Sequence, residues 1–215
     1  MIDRDPDVSA VAAIQLPPPA NDCDVSVFTA LKHRRTTREI SSKALSAQQL
    51  SNLLWAAWGV NREAGPFGQP GRTAASASNS QEIELFVALA EAAYLYDAVE
   101  HRLNPVAAGD IRFSALTPHQ RGVDAKAPVQ LVFVVDLQRL IHTAGFQEPG
   151  LQDPEVQKSY YYVDAGLIAE NVYLFAAAFA MAAWFHNCDR ARLARELGLR
   201  TSQRVLFAQS VGYPA

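Results

Sequence analysis

The chain is poor in cysteine, and this scarcity sets the first limits on its function. Two cysteines, Cys23 and Cys188, occur among 215 residues. Two are too few for a disulfide framework, and neither belongs to a CxxC or Cys/His spacing typical of zinc sites. We therefore expect two inert thiols and no metal centre.

A large excess of charge and a membrane-length apolar run are also lacking. The formal net charge is only −3, which argues against nucleic acid as the main partner. The N-terminus lacks the basic and then apolar order of a signal peptide, and the apolar segment Val172–Phe185 is too short to span a bilayer. We expect a cytoplasmic protein with neither nucleic acid nor a membrane as its partner.

What the sequence does contain is the composition of a globular protein. Apolar residues make up 49% of the chain, and its 215 residues are enough to bury a substantial core. Residues 1–25 include Pro17, Pro18 and Pro19 and have no helical period, so they predict an extended arm. We expect residues 26–215 to form a single domain.

Capping signals and periodicity predict two helices in the first third of the chain. The first covers Val25–His33. Ser46 and Gln49 have the spacing of a capping box, and the apolar period that follows them ends at Gly59. The glycine- and proline-rich residues 60–75 match neither GxGxxG after a strand nor GxxxxGK[ST], so they predict a flexible loop.

The rest of the chain predicts a sheet and one long helix. Strand-like runs occur at four places, Glu84–Leu89, Tyr94–Tyr96, Val129–Val135 and Val205–Val211. Residues 100–127 predict only a short helix near Asp110–Leu116. A helical pattern from Pro154 to Phe185 is apolar on nearly all sides, which calls for a second subunit to cover it. Asp189 then begins a short helix, and this order of elements predicts an α+β fold with a mixed or antiparallel sheet.

Two short polar segments carry the candidate chemistry. Arg34–Arg38, the arginine segment, holds three arginines and two threonines within five residues. Guanidinium groups match the geometry of phosphate oxygens, so the segment favours a site for a small anion, and the alternative is a solvated basic turn. The second segment, Ser76–Gln81, is rich in hydroxyl and amide groups.

Several motifs follow one another in a specific order and spacing that cover most of the chain. They are Leu16–Pro19, Arg34–Arg38, Leu53–Gly59, Arg72–Ala77, Tyr94–Asp97, Asp164–Gly166 with Asn171, and Val211–Pro214. Together they resemble the nitroreductase family, and most closely its compact, dehydrogenase-like branch related to the peptide azoline oxidases. The resemblance implies a nitroreductase-like fold, in which a central mixed or antiparallel sheet is flanked by helices in an intertwined homodimer.

The resemblance also implies FMN as the cofactor, with two molecules bound at the subunit interface. Arg34, Thr36 and Arg38 would hold the phosphate and the ribityl chain, with Arg35 in the neighbouring position. Contacts to the flavin ring or the ribityl oxygens would come from the other subunit, through Ser76, Ala77, Ser78 and Asn79. Cations suit the phosphate, whereas the ring edges need amide and hydroxyl partners.

Phe185 and His186 lie where the family places a backbone N–H near flavin N5, in a predicted loop over Trp184–Asn187. The His186 side chain is open to three interpretations: a general acid, a histidine exposed on a loop, or a histidine used only through its backbone. We assign no catalytic side chain. The sequence departs from the family at Ala75, which replaces a proline, and in the absence of a glycine from Trp184–Asn187.

The activity implied by the resemblance is that of an FMN-dependent oxidoreductase. In a ping-pong cycle, it would pass hydride from a reductant such as NAD(P)H to a nitroaromatic compound, a quinone or a similar acceptor. Two alternatives stay open at this point: oxidation of a small or peptide-derived substrate by the flavin, and a non-catalytic flavin-binding dimer.

Overall fold

The computed structural model describes residues 10–20, 24–122 and 127–215. The strands in these ranges are β1 (Ile14–Gln15), β2 (Val60–Arg62), β3 (Gly71–Arg72), β4 (Ile83–Ala88), β5 (Ala92–Asp97), β6 (Arg102–Ala108), β7 (Val129–Asp136), β8 (Ala182–His186) and β9 (Gln203–Gly212). Seven of them form one sheet in the order β1-β6-β5-β4-β7-β9-β8, and β2 and β3 form a separate hairpin. Every strand pair is antiparallel, in agreement with the predicted α+β class.

Helices cover both faces of the large sheet. They are α1 (Val27–His33), α2 (Ala47–Trp58), α3 (Leu137–His142), α4 (Pro154–Ala178) and α5 (Arg190–Glu196). The main core lies between the sheet and the pair α2 and α4, and a smaller core lies under α5 on the opposite face. None of the helices in the described ranges combines the length and the apolar character that a bilayer span requires.

The local capping signals are confirmed. The Ser46 hydroxyl accepts the Gln49 N–H at 3.2 Å, and the Gln49 side chain accepts the Ser46 N–H at 3.0 Å, which completes the capping box of α2. Gly59 ends that helix, and the Asp189 carboxylate accepts the Arg192 N–H at the start of α5. These signals depend only on residues close in sequence, so they can be interpreted without the tertiary fold.

The predicted helix Pro154–Phe185 is wrong in its last seven residues. Helix α4 ends at Ala178, the chain reverses at Ala180, which has a φ of 52°, and residues 182–186 form the edge strand β8. The predicted loop over Trp184–Asn187 is therefore wrong as well. A buried strand and a buried helix share the same apolar composition, and no glycine marks the left-handed residue of the turn.

Two further strand regions escaped prediction. Residues 60–75 contain the hairpin of β2 and β3, and β6 occupies part of the region 100–127. Strand β6 carries Pro105, which lacks an N–H, and the register of its ladder with β5 shifts just beside the proline, at Ala93 and Tyr94. A proline inside a strand argues against a strand assignment unless an irregularity accommodates it, as it does here.

The N-terminal arm is described over residues 10–20, where it lies against its own chain. Ile14–Gln15 pair with β6, and the Gln48 side chain donates to the Pro18 carbonyl at 2.9 Å. Cys23 lies outside the described residues. Cys188 is buried, and burial raises the pKa of its thiol to about 11, so this cysteine is inert at neutral pH.

Candidate active site

The arginine segment runs along the outer edge of the sheet. It begins where α1 ends, and the Thr37 N–H donates to the Ala183 carbonyl of β8 at 2.9 Å. Immediately beyond the segment, Ile40 forms an antiparallel bridge with Pro214. Strand β8 is an edge strand, whose outward backbone groups need partners, and the segment supplies one of them. Its backbone is therefore fixed on both sides of the arginines.

A tyrosine of α4 joins the arginine segment to β8. The Tyr173 hydroxyl accepts the Phe185 N–H at 2.8 Å and lies 3.1 Å from the Thr36 hydroxyl. Phe185 is one of the two residues whose backbone the resemblance places near the flavin ring, and its N–H thus has a partner within this chain. Our sequence analysis missed Tyr173. The sequence does contain a signal for it: a tyrosine in an apolar helix has a buried hydroxyl, and that hydroxyl needs a hydrogen-bond partner.

The arginine segment is a local excess of positive charge. None of Arg34, Arg35 and Arg38 forms an ion pair with a described carboxylate. The Arg34 guanidinium lies 5.1 Å from the centre of the Tyr173 ring, and that of Arg38 lies 5.7 Å from the Trp184 ring. Stacking restrains the guanidinium planes, while their N–H groups stay available to an anion.

Ser76–Asn79, the serine loop, is held by hydrogen bonds to its neighbours in the chain. The Asn79 amide nitrogen donates to the carbonyls of Pro66 and Gln69 at 3.0 and 3.2 Å, and its oxygen accepts from the Gln81 side chain at 3.0 Å. The Gln81 N–H donates to the Ser76 hydroxyl at 3.1 Å. The Asn79 side chain therefore ties the serine loop to the segment 66–69 and to Gln81.

The serine loop is also anchored to its surroundings. The Ala77 N–H donates to a carboxylate oxygen of Asp164 on α4 at 2.9 Å. Ser78 has a φ of 51°, and its hydroxyl lies directly over Gly145, where any larger side chain would collide with it. Glycine at position 145 permits this close approach. The loop is therefore held by Asp164 on one side and packs against Gly145 on another.

His186 is enclosed in the core. Its side chain is 5% exposed, and its ring nitrogens lie 2.8 Å from the Asn187 carbonyl and 3.0 Å from the Ser210 hydroxyl. Burial lowers the pKa of His186 to about 4, so the ring is neutral at pH 7. An exposed loop histidine is therefore ruled out. Within the described ranges, no group of three or more His, Cys, Asp or Glu side chains is arranged to hold a metal ion.

The two candidate segments of one chain lie on opposite sides of α4. Asp164 anchors the serine loop and Tyr173 anchors the arginine segment. Nine residues along a helix correspond to about 13.5 Å and two and a half turns, so the two side chains leave α4 in opposite directions. The structure brings Arg34–Arg38 and Phe185 together, but it does not bring the serine loop to them.

Exposed apolar side chains lie on the outer surface of α4 near Asp164. Val163 is 59% exposed and Leu167 is 42% exposed, and a Cβ added at Gly166, between them, would meet no atom within 4 Å. On the neighbouring helix α1, Val27 and Phe28 are 68% and 85% exposed. Clusters of large exposed apolar side chains are typical of a protein–protein interface.

The model of the nitroreductase family matches residues 31–213. The chain belongs to the nitroreductase family. A candidate nitroreductase of Methanocaldococcus jannaschii is 26% identical over 165 residues, which cover 74% of this chain and 76% of the relative. The crystal structure of a candidate nitroreductase from Ralstonia eutropha JMP134 covers 100% of this chain and 95% of its own, with 32% identity and a TM-score of 0.82.

Two more distant solved structures share the fold. A candidate nitroreductase from Desulfovibrio desulfuricans in complex with FMN has 19% identity and a TM-score of 0.59, over 89% of this chain and 88% of its own. A chain of the Escherichia coli microcin synthetase complex has 15% identity and a TM-score of 0.68, over 93% and 76%. The predicted family and fold are thus confirmed, and the family makes this protein an oxidoreductase.

Proposed function

We propose that the protein is a homodimeric, FMN-dependent oxidoreductase that passes electrons from NAD(P)H to a small acceptor such as a nitroaromatic compound or a quinone. Membership in the nitroreductase family and the FMN complex of one structural relative support this proposal. The observation that carries it is the arginine segment, whose three guanidinium groups have no described carboxylate partner although the chain as a whole is acidic.

The residues present fit the phosphate end of FMN. A phosphate monoester carries nearly two negative charges at neutral pH and offers three acceptor oxygens. Arg34 and Arg38 would bind these oxygens, Thr36 would add a hydroxyl donor, and Arg35 would raise the local positive potential. When bound, FMN supplies the redox chemistry of the site, the uptake and release of hydride. The protein's part is to bind, orient and enclose it.

A second subunit would complete the site. The arginine segment and the serine loop of one chain diverge from opposite sides of α4, and the apolar surface with Val163, Gly166 and Leu167 lies on α4 near Asp164. A second copy packed on that surface by a two-fold axis would bring its serine loop toward the first copy's arginine segment. The backbone of Ser76, Ala77, Ser78 and Asn79 would then border the flavin ring.

The double substitution Arg34→Ala with Arg38→Ala tests the phosphate assignment. Each charge-assisted hydrogen bond contributes about 1.5–3 kcal/mol, so we expect the FMN dissociation constant to rise by roughly two to four orders of magnitude. Arg195→Ala is the matched control, because Arg195 is exposed on α5 and has no described ion pair. If a titration gave the same FMN dissociation constant for wild type and the double variant, the arginine segment would be only a solvated basic turn.

The absorbance spectrum of the purified protein tests the activity itself. We expect a yellow protein that loses its flavin absorbance when NADH or NADPH is added without oxygen, and regains it on addition of a quinone. A yellow protein that neither nucleotide bleaches would contradict NAD(P)H as the reductant. A colourless protein that takes up no FMN would contradict the cofactor assignment.

A further inference from the structure

Glu82, the residue before β4, is a buried carboxyl with one oxygen that lacks a donor. Its side chain is 0% exposed. One carboxyl oxygen accepts the Ser80 hydroxyl at 2.6 Å, whereas the other has no hydrogen-bond partner among the described residues. An unsatisfied buried carboxylate oxygen is costly, so such an atom indicates an interaction that involves a further proton.

A second carboxyl, that of Asp164 on α4, lies beside the Glu82 carboxyl. Asp164 is 4% exposed, and its carboxyl is close enough to that of Glu82 for a hydrogen bond between them. The other interaction of Asp164 is with the Ala77 N–H, which it accepts at 2.9 Å. Two adjacent buried carboxylates repel each other unless one of them is protonated. A proton on Glu82 gives it a donor for Asp164, and Asp164 stays the acceptor for Ala77.

No described cation compensates the pair. From the loop side, the neighbour of Glu82 is the neutral Ser80 hydroxyl. From β7, the Asp136 N–H donates to the Glu82 main-chain carbonyl at 2.8 Å. Two arginines bond the preceding residue, Gln81, rather than the pair: Arg72 donates to its side chain at 2.6 Å, and Arg139 of α3 donates to its carbonyl at 3.4 Å and forms an ion pair with Glu84 at 3.1 Å. The proton is therefore the compensating charge.

We propose that Glu82 and Asp164 share one proton and act as a positioning pair for the serine loop. The proton allows Asp164 to remain beside Glu82 while it holds the Ala77 amide. Loss of the proton leaves two carboxylates in contact, and their repulsion withdraws Asp164 from that amide. The effect on the flavin rests on the proposed function, since it requires the serine loop to border FMN, whereas the shared proton itself does not.

The stability of the protein follows from the same pair. Burial and then the charge of Asp164 raise the pKa of Glu82 to about 8, from an ordinary value of 4.5. Between these two values the folded chain holds a proton that the unfolded chain releases, so the free energy of unfolding falls as pH rises. His186, with its pKa lowered to about 4 from 6.5, acts in the opposite direction below pH 6.5. Burial also lowers the pKa of His101, which acts in the same direction as His186, so the contribution of Glu82 is clearest between about pH 6.5 and 8.

The substitution Glu82→Gln keeps the shape of the side chain and removes its titration. The glutamine amide can donate to Asp164, and its oxygen can accept the Ser80 hydroxyl. In wild type, we expect the unfolding constant to rise by up to about tenfold per pH unit between about pH 6.5 and 8, and in Glu82→Gln we expect this rise to disappear. Glu84→Gln is the control: it removes a buried carboxylate that already pairs with Arg139, and the rise should persist.

The wild-type protein provides a readout that needs no variant. The infrared carbonyl band of a protonated carboxyl should be present at neutral pH and disappear through about pH 8. Absence of that band at neutral pH, or an unfolding constant with the same pH dependence in wild type and Glu82→Gln, would overturn the shared proton.

The positioning role is read from FMN affinity against pH. We expect the wild-type FMN dissociation constant to rise severalfold from about pH 7 to 9, that of Glu84→Gln to follow it, and that of Glu82→Gln to stay level. A merely structural role for Glu82 would shift affinity equally at all pH values and would overturn the proposal. If wild type binds no FMN at any pH, the proposed function fails, and hydrogen exchange at the Ala77 amide decides the positioning role. Protection that declines with pH in wild type but not in Glu82→Gln supports it, and equal protection overturns it.

Discussion

The arginine segment and the serine loop differ in how their polar groups are satisfied. In the arginine segment, three guanidinium groups have no described carboxylate partner and the Thr36 hydroxyl has one protein contact. In the serine loop, the Asn79 side chain, the Ser76 hydroxyl and the Ala77 N–H all bond within the chain. The guanidinium groups of the first segment are therefore available to the ligand that we propose, whereas the polar groups of the second are taken up by hydrogen bonds within the chain.

Two arginines elsewhere in the same chain contrast with the arginine segment, because each pairs with a buried carboxylate. Arg200 pairs with Asp136 at 2.7 Å, and Arg139 pairs with Glu84 at 3.1 Å. Both carboxylates are buried beneath these arginines. At these two positions the fold supplies a carboxylate for the guanidinium, and at Arg34–Arg38 it supplies none among the described residues.

The largest expected effect comes from disrupting the proposed subunit interface, which would separate the arginine segment of one chain from the serine loop of the other. Leu167→Glu places a carboxylate on the apolar surface of α4 that we assign to a second copy. Burying an unpaired charge there would cost about 3 kcal/mol or more, so the dimer dissociation constant should rise at least about a hundredfold, with loss of FMN binding. Light scattering and an FMN titration measure the two quantities.

The control for this change is Ala191→Glu. Ala191 is exposed on α5, which packs on the face of the sheet opposite α2 and α4. We expect this variant to keep its mass in solution and its FMN affinity. A Leu167→Glu protein that stays dimeric would place the interface elsewhere, and one that is monomeric but binds FMN normally would show that one chain suffices.

A smaller effect is expected from the junction at Tyr173, whose hydroxyl joins the arginine segment to β8 within one chain. Tyr173→Phe removes the hydroxyl that accepts the Phe185 N–H and contacts Thr36. The unpaired amide should lower the free energy of unfolding by about 1–3 kcal/mol, and the FMN dissociation constant should rise because Thr36 loses its support. Denaturant unfolding and FMN titration measure both changes.

Tyr94→Phe is the matched control for the loss of a tyrosine hydroxyl. The hydroxyl of Tyr94 lies 3.5 Å from the Glu91 carboxylate, at the limit of a hydrogen bond. Its removal should change the free energy of unfolding by less than about 0.5 kcal/mol. Equal losses in the two variants would contradict the junction that we assign to Tyr173.

Local signals in the sequence predict the elements whose cause is local. The capping box of Ser46 and Gln49 and the cap at Asp189 are right because the bonding groups lie within three residues of each other. The prediction misses strand β8 because its apolar residues continue the pattern of α4. The chain reversal between the two elements uses Ala180 in a left-handed conformation that favours glycine, so no glycine marks it in the sequence. Strand β6 is missed because Pro105 argues against a strand in the sequence, whereas the structure accommodates the proline by a shift in register.

The residues of the candidate site also divide into those that the sequence predicts and those that only the fold brings together. The arginine segment is visible in the sequence because its residues are contiguous. Tyr173 and Glu82 are not, because their roles come from partners far along the chain: Tyr173 meets Thr36, and Glu82 meets Asp164. Only the fold brings such pairs together, and a tyrosine or a glutamate in an apolar stretch shows merely that a partner must exist.

The central claim is that one FMN site is shared between the arginine segment of one subunit and the serine loop of the other. Subunit mixing tests it most directly. One parent carries Arg34→Ala with Arg38→Ala, and the other carries Ala77→Trp, which fills the space beside the serine loop. Both parents must first be shown to be folded dimers that bind no FMN.

In a mixed dimer of these parents, a shared arrangement leaves one site with an intact arginine segment and an intact serine loop. The account therefore predicts that equimolar mixing restores FMN binding, at one molecule per mixed dimer, measured by flavin absorbance of the exchanged protein. If each site lay within one chain, every site in the mixture would carry a defect. Mixed dimers that form but bind no FMN would contradict the shared site.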